Sequence, residues 1–483
     1  MSWITPADFG AVGDGITDDT AALRLFVAAL GNGVNGRVDQ RHIISGEVQI
    51  SDKTDFVLTG RGEIKAANGM GTGYGFGMLR FYYCSRFEFS GLRLDGNRAN
   101  RTVLEADNHN ITFQSCSHFT AREVRSDNAI CDGWMLVSSE AEAKASHNRH
   151  FTFFNCHAAN CFRQGMSVIQ AHDGSWIGGT FIASTGTAPQ AGIDLESEPG
   201  DLDHSIERLR FYGVEFAANN GFGLLVASVS KPRDIHIENC IFLNNVLGAV
   251  SWGARNGEIL DSLFDGFTNS AMRGAVDVPV GPNGHLKIRN AVLRNFTATD
   301  VNKMFLYVHG GADGYVEAEG TNVEGQAGAL FSIWAPHCKV LDSSRLNSSL
   351  LTGNSAGAAN IAGDDCTFSG NFIDGGWGSV LYWAGARGIC EDNYCLDATA
   401  NAEGGVFRFE SNGRMKSVSR NHIRRATSAG GWGIYLYNGS DRLLENNVEN
   451  YTGNPYVNLA GSILVKRGNI ANGAVVSESP LIP

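Results

Sequence analysis

Three acidic residues alternate with other residues along one short segment and could carry acid–base chemistry. The segment 192–198 reads GIDLESE. If it forms a β-strand with its isoleucine and leucine buried, we expect Asp194, Glu196 and Glu198 to point to the opposite face and to project into solvent together. The Cα atoms of residues two apart in a strand lie about 6.5–7 Å apart. Paired carboxyl groups near this separation predict a general acid and a general base of a glycoside hydrolase.

The surroundings predicted for this acidic trio favour a raised pKa. Neighbouring repeats place Ser167 on one side of the segment and Leu225 and Ala227 on the other. A partly apolar environment and like-charge repulsion both raise the pKa of a carboxyl group. A raised pKa suits a general acid near neutral pH. The alternative is that the trio is a solvated, charged strand face that discourages association of strand edges.

Other side chains could bind substrate in the same groove. Arg163, Gln164, His172 and Asp173 flank the strand of the preceding repeat, and Trp252 could stack on a sugar ring. Arg163 and Asp173 could instead be salt-bridge or corner residues, and Trp252 an aromatic residue without a ligand. Weaker candidates for chemistry elsewhere in the chain are Asp132, Glu140, Asp277, Arg408 and Glu410.

The sequence predicts neither a cofactor nor a metal site. The 10 cysteines include no CxxC pair and are spread along the chain, which predicts free buried thiols. The G-x-S-x-G, P-loop and HExxH motifs are all missing from the sequence.

Composition limits the partners of this chain. Its 483 residues are 43% apolar and 18% charged, and the net charge is −12. A net negative charge argues against a general nucleic-acid binder and against docking on an anionic membrane, while a neutral glycan is easily accommodated. The opening MSWITPADFG has no basic and apolar leader pattern, so no signal peptide is predicted. No apolar stretch is long enough for a membrane span.

A repeat must position the acidic trio. Short alternating strands that follow a glycine or another small residue recur about every 25 to 31 residues. Two or three strands per repeat of this length predict one coil of a β-solenoid, with about a dozen coils in all. Asparagines recur between strands, and we expect them in corner turns and stacked side-chain amides. They are Asn155, Asn160, Asn239, Asn244, Asn290, Asn295, Asn371, Asn393, Asn421 and Asn446.

The N-terminal residues carry a resemblance to a known superfamily. The opening Asp8-Phe9-Gly10-Ala11-Val12-Gly13-Asp14-Gly15, with TDDTAA following it from Thr17, resembles that of pectate-lyase-superfamily β-helix proteins. These include phage tailspikes, polygalacturonase-type hydrolases and alginate-epimerase modules. The resemblance implies an all-β, right-handed parallel β-helix, and it does not identify a reaction. The epimerase Asp-Pro-His-Glu tetrad is missing from the sequence.

Three regions are predicted on this basis. Residues 1–44 hold the opening motif and a capping helix, in which TDDT from Thr17 precedes an apolar pattern. Residues 45–470 form the parallel β-helix, and residues 471–483 form a C-terminal tail. The helix covers the first coil, which would otherwise expose apolar side chains and a strand edge.

Three functions remain open from the sequence. The first is a hydrolase that cleaves an extended polysaccharide with Asp194 and Glu196, assisted by Glu198. The second is a lyase acting on a uronic-acid polymer, in which the trio would hold Ca²⁺. The third is a non-catalytic, glycan-binding spike. The tailspike resemblance implies a homotrimer that is made in the cytoplasm and acts outside the cell as part of a virion.

Overall fold

The structure is a computed structural model, and its described residues form two compact units, Met1–Ala254 and Arg255–Pro483. Each unit consists of parallel strands stacked coil upon coil, and the right-handed parallel β-helix predicted from the sequence is confirmed. No helix in the described part of the chain is long and apolar enough to cross a membrane. The described residues are 2–71, 77–101, 108–138, 148–196, 206–227, 232–267, 274–279, 285–295, 304–309, 315–324, 329–344, 346–348, 358–377, 379–399, 405–410, 413–425, 432–450, 455–458 and 463–475.

The first unit has three series of parallel strands, which we call sheets A, B and C. Sheet A contains Ser2–Ile4, Val34–Arg37, Thr54–Thr59, Ser85–Ser90, Ser117–Arg122, Asn148–Phe154, Ala171–Ile177, Ile206–Tyr212 and Arg233–Glu238. Sheet B contains Asp14–Asp18, Arg41–Ile44, Glu63–Ala66, Arg93–Asp95, Arg125–Asp127, His157–Ala159, Thr180–Ile182, Glu215–Ala217 and Ile241–Leu243. Sheet C contains Val48–Ser51, Gly77–Tyr82, His109–Gln114, Trp134–Val137, Met166–Val168, Ile193–Leu195, Phe222–Val226 and Gly248–Trp252.

The second unit repeats these series and adds a fourth, sheet D. Sheet A contains Asn256–Leu260, His285–Arg289, Tyr315–Glu319, Lys339–Leu341, Thr367–Ser369, Ile389–Glu391, Ser417–Ser419, Ser440–Leu444 and Ile463–Arg467. Sheet B contains Leu263–Asp265, Val292–Arg294 and Asn322–Glu324. Sheet C contains Gly274–Pro279, Met304–His309, Ala329–Ile333, Ala359–Ile361, Leu381–Trp383, Gly405–Phe409, Trp432–Leu436 and Tyr456–Asn458. Sheet D contains Leu346–Ser348, Phe372–Trp377, Tyr394–Thr399, His422–Arg425, Asn447–Glu449, Ile470–Ala471 and Ala474–Val475.

An α-helix at Thr20–Ala28 packs near the start of the first unit, as a cap would. Its first amide is held by Asp18, whose Oδ1 accepts a hydrogen bond from the Thr20 amide at 3.0 Å. Its apolar side buries Phe26 against Gly36, where an added Cβ would meet the Phe26 ring at 2.6 Å. Short 3₁₀ helices lie at Pro6–Phe9 and Arg98–Asn100.

The opening motif shapes the loop before this helix. Asp19 accepts hydrogen bonds from the amides of Val12 at 2.7 Å and Gly13 at 3.0 Å, and its carboxylate lies 2.7 Å from Nδ1 of buried His42. Asp14 accepts two more amide hydrogen bonds within its own turn. The acidic residues of this motif are therefore structural, because each satisfies backbone donors that the loop leaves unpaired.

Glycines let neighbouring coils of sheet C approach closely in the first unit. A Cβ built on Gly165 would lie 2.4 Å from the carbonyl oxygen of Gly192, and one on Gly192 would lie 2.5 Å from that of Gly223. Only glycine fits at such a contact without moving the backbone. This close approach explains why so many strands of the repeat begin with a glycine.

The recurring asparagines fall into the two structural classes expected from the sequence. Asn155, Asn160, Asn239, Asn244, Asn290 and Asn295 are turn residues with φ between 50° and 55°. The others form a buried ladder in the second unit: Asn371, Asn393, Asn421 and Asn446 each donate from Nδ2 to Oδ1 of the next asparagine, ending at Asn469, at 2.9–3.1 Å. The 10 cysteines are all free and buried, as expected.

The boundaries proposed for the three regions stay a prediction. Strands of sheets A and B already occur within the first 44 residues, beginning with Ser2–Ile4. Near the other end, Ile470–Ala471 pairs antiparallel with Ala474–Val475. Residues 476–483 lie outside the described part of the chain.

Candidate functional site

Asp194 lies at the middle of the Ile193–Leu195 strand of sheet C. Ile193 and Leu195 are fully buried in the coil interior, so the Asp194 side chain projects from the opposite face. Ser167 and Leu225 are its partners in register on the two neighbouring strands. Only 2% of Asp194 is exposed. The expectation that all three acids project into solvent is therefore wrong for Asp194, whose side chain is buried although it points away from the coil interior.

The Asp194 carboxyl group is poorly solvated and poorly hydrogen-bonded. Its Oδ1 has no hydrogen-bond partner among the described residues. Burial raises the pKa of Asp194, and the charges of Glu196 and Asp132 raise it further, while Arg163 and a hydrogen bond from Gln164 oppose the shift. The result is a pKa of about 8. Asp194 is therefore largely protonated at neutral pH, as a general acid must be.

Beside Asp194, a second buried carboxyl group is ionised and fully paired. Asp132 accepts hydrogen bonds from Nε and Nη2 of Arg163, both at 2.9 Å, and one from Oγ of Ser167 at 2.7 Å. Nδ1 of His109 lies 3.1 Å from Oδ2 of the same carboxylate. Gln164 and Arg163 also donate to Oγ of Ser167. We call His109, Asp132, Arg163, Gln164 and Ser167 the support network.

The support network shifts two pKa values in opposite directions. Burial by itself would raise the pKa of Asp132, but the charges and hydrogen bonds of His109 and Arg163 outweigh it and lower the value to about 2. Burial likewise opposes the charge of His109, but Asp132 raises the pKa of His109 to about 10. At neutral pH the network therefore contains an anionic Asp132 between two cations, and Asp194 holds its proton next to it.

One group of side chains in this region has atoms that could ligate a metal. His109, Cys131 and Asp132 each offer one ligand atom, and these atoms lie within 4.8 Å of one another. Both oxygens of Asp132, however, already accept hydrogen bonds from Arg163. A metal cation at this position would lie next to the guanidinium charge, which disfavours it. We therefore assign Asp132 to the ion-paired network.

The structure brings some of the predicted site residues together. Arg163 and Gln164 belong to the support network of Asp194, and the side chain of Arg163 is 31% exposed. Glu196 is exposed, and its charge acts on Asp194. Glu198 lies outside the described residues. The part of the trio that the structure describes is thus one buried carboxyl group and one exposed carboxylate on the same segment.

Two predicted substrate-binding residues lie in another sheet. His172 and Asp173 belong to the Ala171–Ile177 strand of sheet A, whereas Asp194 lies in sheet C. Asp173 has a φ of 55° and accepts two hydrogen bonds from Arg208, at 2.7 and 3.1 Å. The salt-bridge alternative considered for Asp173 therefore describes its contacts.

The outward orientation predicted for Trp252 is wrong. Only 2% of Trp252 is exposed, and it pairs in register with Val226 of the core, so it cannot stack on a sugar. Val250 likewise pairs with buried Leu224. The Gly248–Trp252 strand begins with two small residues, and Ala249 rather than Gly248 precedes the first core position. Counting from the glycine therefore assigns every later side chain to the wrong face.

His109 and Ser167 are members of the network that the sequence did not single out as site residues, and Asp132 was only a weaker candidate. Their contacts join residues such as Asp132 and Arg163, which are 31 positions apart. One signal was present in the sequence: Asp132-Gly133-Trp134 has the same pattern as Gln164-Gly165-Met166. Aligning these strands places Asp132 beside Gln164 in adjacent coils.

A surface pocket of about 580 Å³ occurs elsewhere in the first unit. It lies against strand ends of sheet A, and it contains none of the residues predicted from the sequence. Two of its charged residues, Arg37 and Asp39, pair with each other. We therefore place the candidate site at Asp194 and not in this pocket. Its lining residues are Arg37, Asp39, Thr59, Gly60, Arg61, Ser90, Gly91, Arg122 and Glu123.

Comparisons with known proteins find similarity in structure. No protein-family model matches the chain, and no curated protein matches it. The surface protein and adhesin PfbA of Streptococcus pneumoniae is 12% identical with a TM-score of 0.46, over 95% of this chain and 100% of that one. ORF18 of Geobacillus virus E2 is 14% identical with a TM-score of 0.41, over 77% of this chain and 60% of that one. The A-module of the mannuronan C-5 epimerase AlgE4 of Azotobacter vinelandii is 15% identical with a TM-score of 0.31, over 95% and 100%. At these identities the similarity is one of fold alone.

Proposed function

We propose that this protein is a glycoside hydrolase that cleaves an extended polysaccharide, with Asp194 as the general acid and Glu196 as its carboxylate partner. The observation that carries this proposal is the pairing of a buried, incompletely hydrogen-bonded carboxyl group with an exposed carboxylate two residues along the same segment. Two carboxyl groups in unlike environments are the minimum that glycoside hydrolysis requires.

In the proposed reaction, the proton of Asp194 passes to the glycosidic oxygen as the bond from this oxygen to the anomeric carbon breaks. Glu196 then acts on the anomeric carbon, either by activating a water molecule or by direct attack. In an extended strand, the Cα atoms of residues two apart lie about 6.5–7 Å from each other. Side-chain reach makes this spacing compatible with either stereochemical outcome. The assisting role of Glu198 stays a prediction.

The support network has a positioning role in this proposal. Arg163 and Ser167 are fixed by the buried Asp132 carboxylate. Burial keeps the proton on Asp194, and the charges of Glu196 and Asp132 add to this effect by raising its pKa. Because Asp194 is only 2% exposed, its neighbouring side chains must move aside when a glycan binds. Partly exposed Arg163 is the member of the network that can contact this glycan.

The test is incubation of the full chain with a panel of bacterial capsular and plant polysaccharides, followed by mass analysis of the products. Hydrolysis adds one water molecule per bond cleaved, whereas elimination adds none and gives an unsaturated product. We expect hydrolysis that is lost in Asp194→Asn and in Glu196→Gln. Cleavage that persists in both variants, or products without added water, would refute the proposed mechanism.

Location and assembly belong to the same proposal. We propose that the protein acts as part of a phage or prophage particle, as the tailspike resemblance of its opening motif implies. Binding without any product on prolonged incubation would instead identify a non-catalytic spike.

A further inference from the structure

The outer face of sheet C in the second unit carries a row of aromatic and polar side chains. On each strand the flanking residues, such as Leu306 and Val308, are buried in the coil interior. The residues between them therefore point outward. In register from strand to strand, this first row is Asp277, Tyr307, Ser332, Asn360, Tyr382, Arg408 and Tyr435.

A second row lies two residues farther along each strand. Backbone hydrogen bonds continue the register there, for example from the amide of Trp334 to the carbonyl of Val308 and from the amide of Glu410 to that of Trp383. The members of this row are His309, Trp334, Ala362, Ala384, Glu410 and Tyr437. We call the two rows together the aromatic platform.

The platform has a recess between two bulky ends. Ala362 and Ala384 place only methyl groups on two successive coils, while Trp334 and Glu410 stand on either side. From Trp334 to Glu410 there are three coil steps, which is about 14 Å at the spacing of neighbouring strands. Such a shallow, elongated recess is large enough for a chain of small rings that crosses several coils.

The exposed aromatic residues of this face belong to the second row. Trp334 is 55% exposed and Tyr437 is 46% exposed, unlike the four tryptophans of the core. Nε1 of Trp334 donates a hydrogen bond to Oγ of Ser332 at 3.0 Å, which fixes the ring. Tyr307 stacks on His309 with 4.6 Å between ring centroids. An exposed aromatic ring with a fixed orientation loses little entropy when a ligand stacks on it.

The charged groups of the platform are paired with each other. Asp277 lies 3.1 Å from Nε2 of His309, and Glu410 pairs with Arg408. The hydroxyl of Tyr382 also donates to Glu410, at 3.1 Å. Because both carboxyl groups and the arginine of the platform have a local partner, this face offers hydrogen-bonding groups without an unpaired acidic or basic side chain. This balance favours an uncharged, hydroxyl-rich ligand over a nucleic acid or a uronic-acid polymer.

We propose that the aromatic platform is a second glycan-binding site, which holds a neutral polysaccharide chain across several coils. A pyranose ring stacks its C–H face on Trp334, the neighbouring sugars occupy the recess over Ala362 and Ala384, and Tyr437 contacts the chain beyond Glu410. The class of ligand rests on the proposed function. The binding residues do not, because all of them belong to the second unit and none to the support network.

The test is affinity electrophoresis of the full chain in gels that contain one polysaccharide each. The neutral probes are dextran, pullulan, galactomannan and arabinoxylan, together with neutral capsular polysaccharides, and the acidic probes are alginate and polygalacturonate. All variants carry Asp194→Asn so that cleavage does not alter the gel. We expect at least one neutral probe to retard the protein. Trp334→Ala and Ala362→Trp should each weaken this binding about tenfold, the scale for loss of an aromatic anchor.

A matched control is available in the first unit. Trp3 is 53% exposed, close to the value for Trp334, and it lies outside the platform. Trp3→Ala should therefore leave the retardation unchanged. Retardation by no neutral probe, by acidic probes alone, or to the same extent in Trp334→Ala and Trp3→Ala would overturn the platform proposal.

The outcomes separate the platform from the hydrolase. If Trp334→Ala abolishes binding but no polysaccharide is cleaved by the natural sequence, the platform stands and the hydrolase fails. If the natural sequence cleaves a polysaccharide and Trp334→Ala, made in the Asp194→Asn background, leaves the retardation unchanged, the hydrolase stands and the platform fails. If a gel that contains a protein retards the chain specifically and no polysaccharide gel does, the platform is a protein-binding surface. That result would also overturn the proposal.

Discussion

Asp194 and Asp132 show how two buried aspartates in one neighbourhood reach opposite protonation states. Asp132 has Arg163 and Ser167 as hydrogen-bond donors and His109 at ion-pair distance, so its pKa falls to about 2 despite complete burial. Asp194 has one carboxyl oxygen without a partner, and its pKa rises to about 8. The difference therefore lies in hydrogen-bond partners and nearby charges, and burial alone does not decide it.

The proton on Asp194 predicts how stability depends on pH. In the unfolded chain this carboxyl group loses its proton near pH 4, whereas the native state keeps it until about pH 8. Between these values the native state binds one more proton, so its stability falls as pH rises, by up to about 1.4 kcal/mol per pH unit. We expect Asp194→Asn to remove this slope. Denaturant titrations of both proteins from pH 5 to 8 measure it, and parallel curves would contradict the assignment.

The ion pair of Asp132 predicts a large loss of stability on substitution. Asp132→Asn removes the anion that holds buried His109 and Arg163, so two cations lose their partner. Breaking a buried pair in this way costs about 3–5 kcal/mol. The matched control is Asp55→Asn, which breaks the exposed pair with Arg86 and should change little. Thermal unfolding compares them, and equal small shifts would show that Asp132 is not held as described.

At the scale of elements, asparagine has one structural role in the buried ladder and another in the corner turns. Asn421 is 1% exposed and hydrogen-bonds both to Asn446 and to the carbonyl oxygen of Cys390. Asn155 has a φ of 50° at a turn, a conformation that glycine adopts equally well.

These two positions therefore predict different responses to substitution. Asn421→Ala leaves buried backbone and amide groups unpaired and should destabilise the second unit by about 1–3 kcal/mol. Asn155→Gly keeps the turn and should be close to neutral. Chemical denaturation distinguishes them. An Asn155→Gly variant that loses as much stability as Asn421→Ala would show that the corner asparagine acts through its side chain.

The sequence predicted the elements well where the period of two residues was regular. Ile193 and Leu195 are buried as expected, and the asparagines and cysteines have the structural roles expected of them. The prediction failed for Trp252, where one extra small residue changes the face of every later side chain. The alternating pattern of a strand predicts which side chains share a face. Which of the two faces points into the coil depends on the register of the strand with the neighbouring coil.

The site was harder to predict than the fold because its residues meet only through coil stacking. Alternation correctly turned Asp194 away from the interior, and Arg163 and Gln164 lie near it as grouped from the sequence, but alternation could not show that Asp194 would be buried. The pairing of His109 with Asp132 depends on contacts between different coils. Such contacts depend on the exact length of each repeat, which varies along this chain.

At the scale of the whole molecule, the tailspike resemblance predicts a homotrimer. Light scattering coupled to gel filtration should therefore give three times the chain mass of 51.8 kDa. The measurement should be made over a range of protein concentrations, because a closed trimer stops at three chains as the concentration rises, whereas open-ended association continues to grow. A mass of one chain at every concentration would contradict the predicted assembly. It would leave both proposed glycan sites as proposals, since each lies within one unit.

The central claim is that Asp194 holds a proton at neutral pH, and infrared difference spectroscopy tests it directly. The spectrum of the natural sequence minus that of Asp194→Asn isolates the carbonyl stretch of a protonated carboxyl group at this position. The band should be present at pH 6 and 7 and should disappear with a midpoint near 8. A carboxylate signal that is already complete at pH 6 would contradict the claim, and with it the role of Asp194 as a general acid.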